Sequence, residues 1–188
     1  MVIFNLRRGM RLKNVFEPDY YFAEAFSVSP SFLLSRGIGV LILDIDNTLV
    51  TYADAYPTEA VTKWINAMKQ GGVRLAIASN NHGKRVDTFA ESLDVFTVSD
   101  SNKPSRKAVD VICRRFSITP DKAAVIGDQI FTDVLCANRA GAVAILVKPL
   151  PYRENLFFKF KRLLEKPIIK KFKHKHPDKC FAKGENEK

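Results

Sequence analysis

The chain has 188 residues, 46% of them hydrophobic and 11% aromatic, which supports one well-packed domain and excludes an intrinsically disordered protein. Its net charge is +10, unevenly spread: residues 1–36 carry +2, residues 37–151 carry +1 and residues 152–188 carry +7. The middle is nearly neutral, and the basic end suits an anionic partner such as a membrane surface or a nucleic acid.

Cys113, Cys136 and Cys180 have no metal-ligand spacing, and an odd count cannot complete a disulfide framework, so a reducing cytosol is expected. No run of about 18 apolar residues marks a membrane span. The opening "MVIFNLRRGMRLKNVF" places its basic residues after its apolar ones, the reverse of a signal peptide. The expected location is cytoplasmic.

In chain order, the middle alternates short apolar runs with helical patterns. "VLILDI" (40–45) reads as a buried strand. "PTEAVTKWINAMKQ" (57–70) comes next as a helix opened by Pro57 and closed by Gly71-Gly72. "VRLAIAS" (73–79) is a strand, "GKRVDTFAESL" (83–93) a helix and "VFTVS" (95–99) a short strand. "PSRKAVDVICRRF" (104–116) is a helix, "AAVIGD" (123–128) a strand, "FTDVLCANRAG" (131–141) a helix closed by Gly141 and "VAILV" (143–147) a fifth strand. This alternation predicts an α/β fold, a five-stranded parallel sheet between helices, with strands apolar on both faces.

Ligands of such sheets sit beyond the carboxyl ends of the strands. That rule gathers Asp44 and Asp46, Ser79 and Asn80, Lys103, Asp128 and Asp133 at one edge. Several carboxylates at one point repel, and a divalent cation relieves the conflict. Oxygen-only ligands suit Mg²⁺. Lys103 and the Ser79 hydroxyl are donors suited to phosphate oxygens. Asp44 is then placed to attack phosphorus as a nucleophile. Asp46, two residues on, is placed to give a proton to the leaving oxygen and take one from water.

These residues carry a resemblance. "DIDNT" (44–48) resembles the first motif of the haloacid dehalogenase (HAD) superfamily, Ser79 the second, Lys103 in "SNKPS" the third and "GDQIFTD" (127–133) the fourth. The resemblance implies a Rossmann-like three-layer HAD fold. It implies Asp44 as nucleophile and metal ligand, Asp46 as general acid/base and backbone-carbonyl ligand, and Asp128 as metal ligand. Lys103 stabilises the phosphoryl group, with Thr48, Ser79 and Asn80 near substrate, and Asp133 supports the metal shell or orients Lys103. Residues 18–150 further resemble the capless class IIIA phosphatases of the YqeG type, a group similar to phosphatidylglycerophosphate phosphatases. This closer resemblance implies a Mg²⁺-dependent phosphomonoesterase working through an aspartyl-phosphate, with phosphatidylglycerophosphate as the expected substrate. A phosphoprotein or soluble phosphate ester is the first alternative. A non-catalytic protein docking on a ribosome or GTPase through its basic tail is the second.

The gaps 50–73 and 81–99 each hold one helix at most beside short connections, too little for a cap domain. The expected organisation is an N-terminal extension over 1–37, a catalytic domain over 38–150, and a basic amphipathic helix with a Lys-rich tail over 151–188. In "RENLFFKFKRLLEK" (153–166), Leu156, Phe157, Phe160, Leu163 and Leu164 share a helical spacing, with Arg162 and the lysines on other faces and Pro167 as the stop. That apolar face either packs on the domain or lies on an anionic bilayer, making residues 152–176 a peripheral membrane contact. An anionic phospholipid is the expected partner; nucleic acid is not. The sequence gives no oligomeric state.

Overall fold

The structure is a computed structural model, and residues 14–151 and 156–183 are described. The strands are short, two to five residues each. β2 (Val40–Leu43) is buried at every residue, and Asp44 is the next position, its N–H still in the ladder at 3.0 Å from the Ile126 carbonyl. Around it lie β1 (Tyr20–Phe22), β3 (Arg74–Ala78), β4 (Phe96–Val98), β5 (Ala123–Gly127), β6 (Val143–Val147) and β7 (Cys180–Phe181).

All of these pair in parallel, in the order β4-β3-β2-β5-β6-β1-β7. Among the described residues the sheet therefore has seven strands, not the expected five. β1 adds to the edge of β6, and β7 adds to β1. Strands of three and two residues carry too little period-two pattern to be read from sequence. β2 is the switch point: the chain passes from it through β3 to β4 on one side and then returns to β5 on the other.

Residue alternation along each strand separates two apolar layers. Leu41, Leu43, Ile77, Ile126 and Ile145 face α1 (Pro30–Ser35), α2 (Glu59–Gln70) and α3 (Gly83–Ala90). Val40, Ile42, Ala76, Val125 and Leu146 face α4 (Lys107–Phe116), α5 (Leu135–Ala140) and part of α6 (Leu156–Lys175). Local chemistry sets the helix starts. Ser29 caps α1, its hydroxyl accepting from Phe32 N at 3.1 Å, with Pro30 in the first turn. Thr58, not Pro57, opens α2 by accepting from Val61 N at 3.3 Å. Gly141, at φ +81°, ends α5 in the left-handed conformation that glycine adopts without strain.

The C-terminal segment departs most from expectation. Pro167 lies inside α6 and does not stop it; the helix runs 20 residues. Nor does its apolar stripe pack on the domain. Leu156, Phe157, Phe160, Leu163 and Leu164 are all exposed, Leu156 at 84%. The helix docks instead through Ile168, Ile169 and Phe172 in its second half, and through Arg162 and Glu165 in its first. Beyond it, Lys175 and His176 reach Glu17 at 3.0 and 3.1 Å, and the chain closes on the sheet as β7. Among the described residues no helix is long and apolar enough to cross a membrane.

Candidate active site

Four loops leaving the carboxyl ends of β2, β3, β4 and β5 converge. After β2 the chain turns sharply, with Asn47 at φ +60°, a region that Asn tolerates better than most residues. The turn sets Thr48 beneath Asp44: the Thr48 hydroxyl donates to Asp44 Oδ2 at 3.0 Å and stands 3.5 Å from Asp128 Oδ1. Thr48 thus steadies the Asp44 carboxylate and ties it to Asp128.

After β4 the Lys103 loop is held by Asn80. The Asn80 amide accepts from Lys103 N at 2.7 Å and from Ser101 Oγ at 2.9 Å, and donates to Lys103 O at 2.9 Å. The expectation puts Asn80 beside substrate; it lines the pocket, but its amide is committed to this loop. The Lys103 ammonium, nearly fully buried, lies 2.5 Å from Asp44 Oδ1 and 2.7 Å from Asp133 Oδ1. Asp133 comes from the wide helical turn Ile130–Val134 that leads into α5. It approaches β5 so closely that a Cβ on Gly127 would stand 2.2 Å from its carboxyl carbon. This explains the glycine of the fourth motif in steric terms.

Asp128 follows β5 and is almost completely buried. Its partner is not one the motifs point to. Arg162 of α6 sets one guanidinium nitrogen on Asp128 Oδ2 and donates from the other to the Asp128 carbonyl at 2.5 Å. Glu165, one turn on, accepts from Ile130 N at 2.8 Å and Phe131 N at 3.2 Å, capping the first turn after β5 with a carboxylate. Both residues sit in a segment whose helical spacing puts its charges on the faces away from the apolar stripe. No motif marks them, though a charged pair three residues apart inside an apolar helix is the one signal the sequence offers.

Asp46 has two further partners that no motif marks. Arg85 of α3 donates to Asp46 Oδ1 at 2.6 Å and stacks on Tyr52 with 4.9 Å to the ring centroid. Asn81 donates to Asp46 Oδ2 at 2.6 Å. Ser79 is buried, its hydroxyl accepting from Asn81 N at 3.1 Å. Together these groups border a pocket of about 580 Å³, closed on one side by Phe157, Phe158 and Lys161 of α6.

The donor set fits a divalent cation. Asp44, Asp128 and Asp133 bring carboxylate oxygens within 4.8 Å of one another. With Glu165 these make four buried carboxylates against two cations, Lys103 and Arg162, a formal charge of −2. Burial, only partly offset by Lys103 and aggravated by Asp133 and Asp128, pushes Asp44 up to about 8. Burial likewise lifts Asp128 to about 6 despite Arg162. For Lys103, burial acts to lower the pKa, but Asp133 and Asp44 outweigh it and the ammonium is held charged. Without a metal, then, the site relieves its excess charge by keeping protons. The Asp46 carboxylate stands outside this trio, so its expected contribution is the backbone carbonyl.

Comparison with known proteins agrees with this layout. Residues 101–149 match the HAD-hydrolase-like family. The chain is 35% identical over 164 residues to "Probable phosphatase YqeG" of Bacillus subtilis, covering 87% of this chain and 95% of that one. It is 31% identical over 136 residues to the phosphoglycolate phosphatase of Nitrosospira multiformis, covering 65% of this chain and 56% of that protein. An uncharacterized protein from Listeria monocytogenes shares the fold, with TM-score 0.52 at 19% identity over 63% of this chain and 85% of that one. The fold and the four converging loops define a capless HAD-type phosphatase. Within that class, the chain belongs to the YqeG-type phosphatase family.

Proposed function

We propose that this phosphatase is Mg²⁺-dependent, works through an aspartyl-phosphate on Asp44 and acts on phosphatidylglycerophosphate at a membrane surface. The observation that carries the covalent step is the seating of Asp44. Lys103 on Oδ1 and Thr48 on Oδ2 fix the carboxylate at the floor of the pocket, with Asp46 two residues away. An Asp44 oxygen attacks phosphorus, forming the acyl-phosphate bond while the ester P–O bond breaks. The departing alkoxide takes a proton from Asp46, which must first loosen from Arg85. Water then attacks phosphorus, Asp46 takes its proton, and the P–O bond to Asp44 breaks to free inorganic phosphate. A bound Mg²⁺, held by Asp44 and Asp128 with Asp133 in support, would supply electrostatic stabilisation of the phosphoryl oxygens. Lys103 adds a fixed positive charge that needs no reorganisation.

Two features support a lipid substrate. No cap closes the pocket, and beside it α6 exposes Leu156, Phe160, Leu163 and Leu164 among exposed Lys159, Lys166 and Lys170. An apolar ridge flanked by lysines complements an anionic bilayer.

The test is phosphate release from phosphatidylglycerophosphate with Mg²⁺, Asp44→Asn serving as blank. Turnover by wild type and loss of about 10³-fold or more in the variant are expected. Retained activity in Asp44→Asn would refute the nucleophile; turnover of p-nitrophenyl phosphate without the lipid would refute the substrate. Surface docking is tested on the full chain by Phe160→Ser/Leu163→Ser sedimentation with phosphatidylglycerol vesicles, since deleting 152–188 would also remove Arg162, Glu165 and β7. Unchanged binding sinks that part.

A further inference from the structure

Two cations line the pocket, Lys103 and Lys161. They are in different situations. Lys103 is neutralised between Asp44 and Asp133 and belongs to the reacting end. Lys161 comes from α6, outside the loops that carry the chemistry. Among the described residues no carboxylate pairs with it. Its ammonium donates to Gln129 Oε1 at 2.8 Å and stands 5.6 Å from the Phe158 ring centroid and 5.8 Å from that of Phe157. These neutral partners orient the amine and, among the described residues, leave its charge unpaired.

Lys161 is also held in register. Arg162 is fixed on Asp128, Glu165 on the turn after β5, and Gln129 itself follows Asp128. The wall is thus pinned to the carboxylate cluster by two charged contacts within one helical turn. A capless catalytic domain has no inserted module to read the alcohol part of its substrate. Here the C-terminal helix stands in that place.

We propose that α6 forms the leaving-group subsite, in which Lys161 binds a second anionic group carried by the alcohol portion of the phosphomonoester. Lys103, Ser79 and a divalent cation held by the carboxylates would serve the transferring phosphoryl group, so Lys161 on the separate wall serves the other end of the substrate. The ligand class is a phosphomonoester on a short polar spacer bearing a further phosphate, flanked by Phe157 and Tyr52. A lipid headgroup phosphodiester and a soluble bisphosphate ester both present this chemistry. The inference rests on the phosphatase reading above and names what its substrate must contain.

The experiment compares wild type, Lys161→Ala and Lys161→Arg with Mg²⁺ on four substrates: p-nitrophenyl phosphate, glycerol 3-phosphate, glycerol 1,3-bisphosphate and phosphatidylglycerophosphate in mixed micelles. Wild type should favour either substrate with the second phosphate over glycerol 3-phosphate, and the larger kcat/KM names the source. Lys161→Ala should raise KM about tenfold for the substrates with the second phosphate, leaving kcat within about twofold and p-nitrophenyl phosphate unaffected. Lys161→Arg should restore most of the loss. An equal rise in KM on all four substrates would make Lys161 a phosphoryl or structural group and overturn the proposal, as would no preference for the second phosphate. If wild type turns over none of them, the phosphatase reading fails separately. Calorimetric binding of glycerol 1,3-bisphosphate then decides the subsite: binding weakened about tenfold by Lys161→Ala supports it, and absent or unweakened binding overturns it.

Discussion

The pocket and the carboxylate cluster beside it have two kinds of wall. One is made of strand ends, where Asp44, Thr48, Lys103, Asp128 and Asp133 leave β2, β4 and β5. The other is the first half of α6, with Phe157, Phe158, Lys161, Arg162 and Glu165. On the strand side, charged groups lie at positions fixed by the sheet, each one residue or a short loop beyond a strand end. On the helix side, the usual arrangement is inverted: Arg162 and Glu165 point inward, and Leu156, Phe160, Leu163 and Leu164 outward. The second half of the same helix is ordinary, burying Phe172 and packing Ile168 and Ile169 on the core. The difference teaches that a buried excess of negative charge can govern the docking of a helix more strongly than its own apolar stripe.

The most damaging way to break the strand wall is Lys103→Ala. It leaves Asp44 and Asp133 buried without their shared cation, and a loss of about 3–5 kcal/mol is expected by urea unfolding in chelator. Asp133→Asn in the Lys103→Ala background should recover part of it. A loss below about 1 kcal/mol would mean that Lys103 does not hold the two carboxylates.

Arg162→Ala probes the helix wall. Arg162 would compete with a metal ion for the Asp128 carboxylate, so the variant should melt at a lower temperature in chelator yet bind Mg²⁺ several-fold more tightly by calorimetry. Weaker Mg²⁺ binding would instead assign Arg162 the task of orienting Asp128 for the metal.

The pH dependence sharpens the same comparison. Burial keeps Asp44 at about 8 and Asp128 at about 6, both above an unfolded carboxylate. Between about pH 4 and pH 8 the folded protein therefore holds protons that the unfolded chain has released, and metal-free stability falls as pH rises. A bound divalent cation removes the reason to keep those protons. Melting temperature should decline from about pH 5 to pH 8 in chelator and flatten with Mg²⁺; a flat curve in chelator would contradict the charge excess. The smallest effect is expected at the far end of α6. Glu17→Gln, which breaks the ion pair to Lys175 and alters the hydrogen bond with His176, should cost about 0–1 kcal/mol, because Lys175 remains half exposed.

The strand wall was legible because its rules are local. An apolar run followed at once by Asp44 announces a strand that delivers a carboxylate, and the same holds for Asp128. Parallel alternation then places both ends on one edge. Lys103 and Ser79 were legible as the polar residues after the neighbouring strands. Arg85 and Asn81 were not, because their meeting with Asp46 depends on the angle at which α3 leaves β3. Asn80 lies at the expected edge, but only the loop geometry shows that its amide holds Lys103.

By itself, then, the sequence determined the central strands, the convergence of five acidic and basic positions at their carboxyl ends and the lack of room for a cap, since these come from period, spacing and length. The tertiary structure decided the rest. It added β1 and β7, carried α6 through Pro167 and turned Arg162 and Glu165 toward Asp128 and the turn after it. The physical reason is that the partner of a buried charge is chosen by electrostatics across space, 34 residues along the chain in the case of Arg162, and no pattern within the helix records that choice.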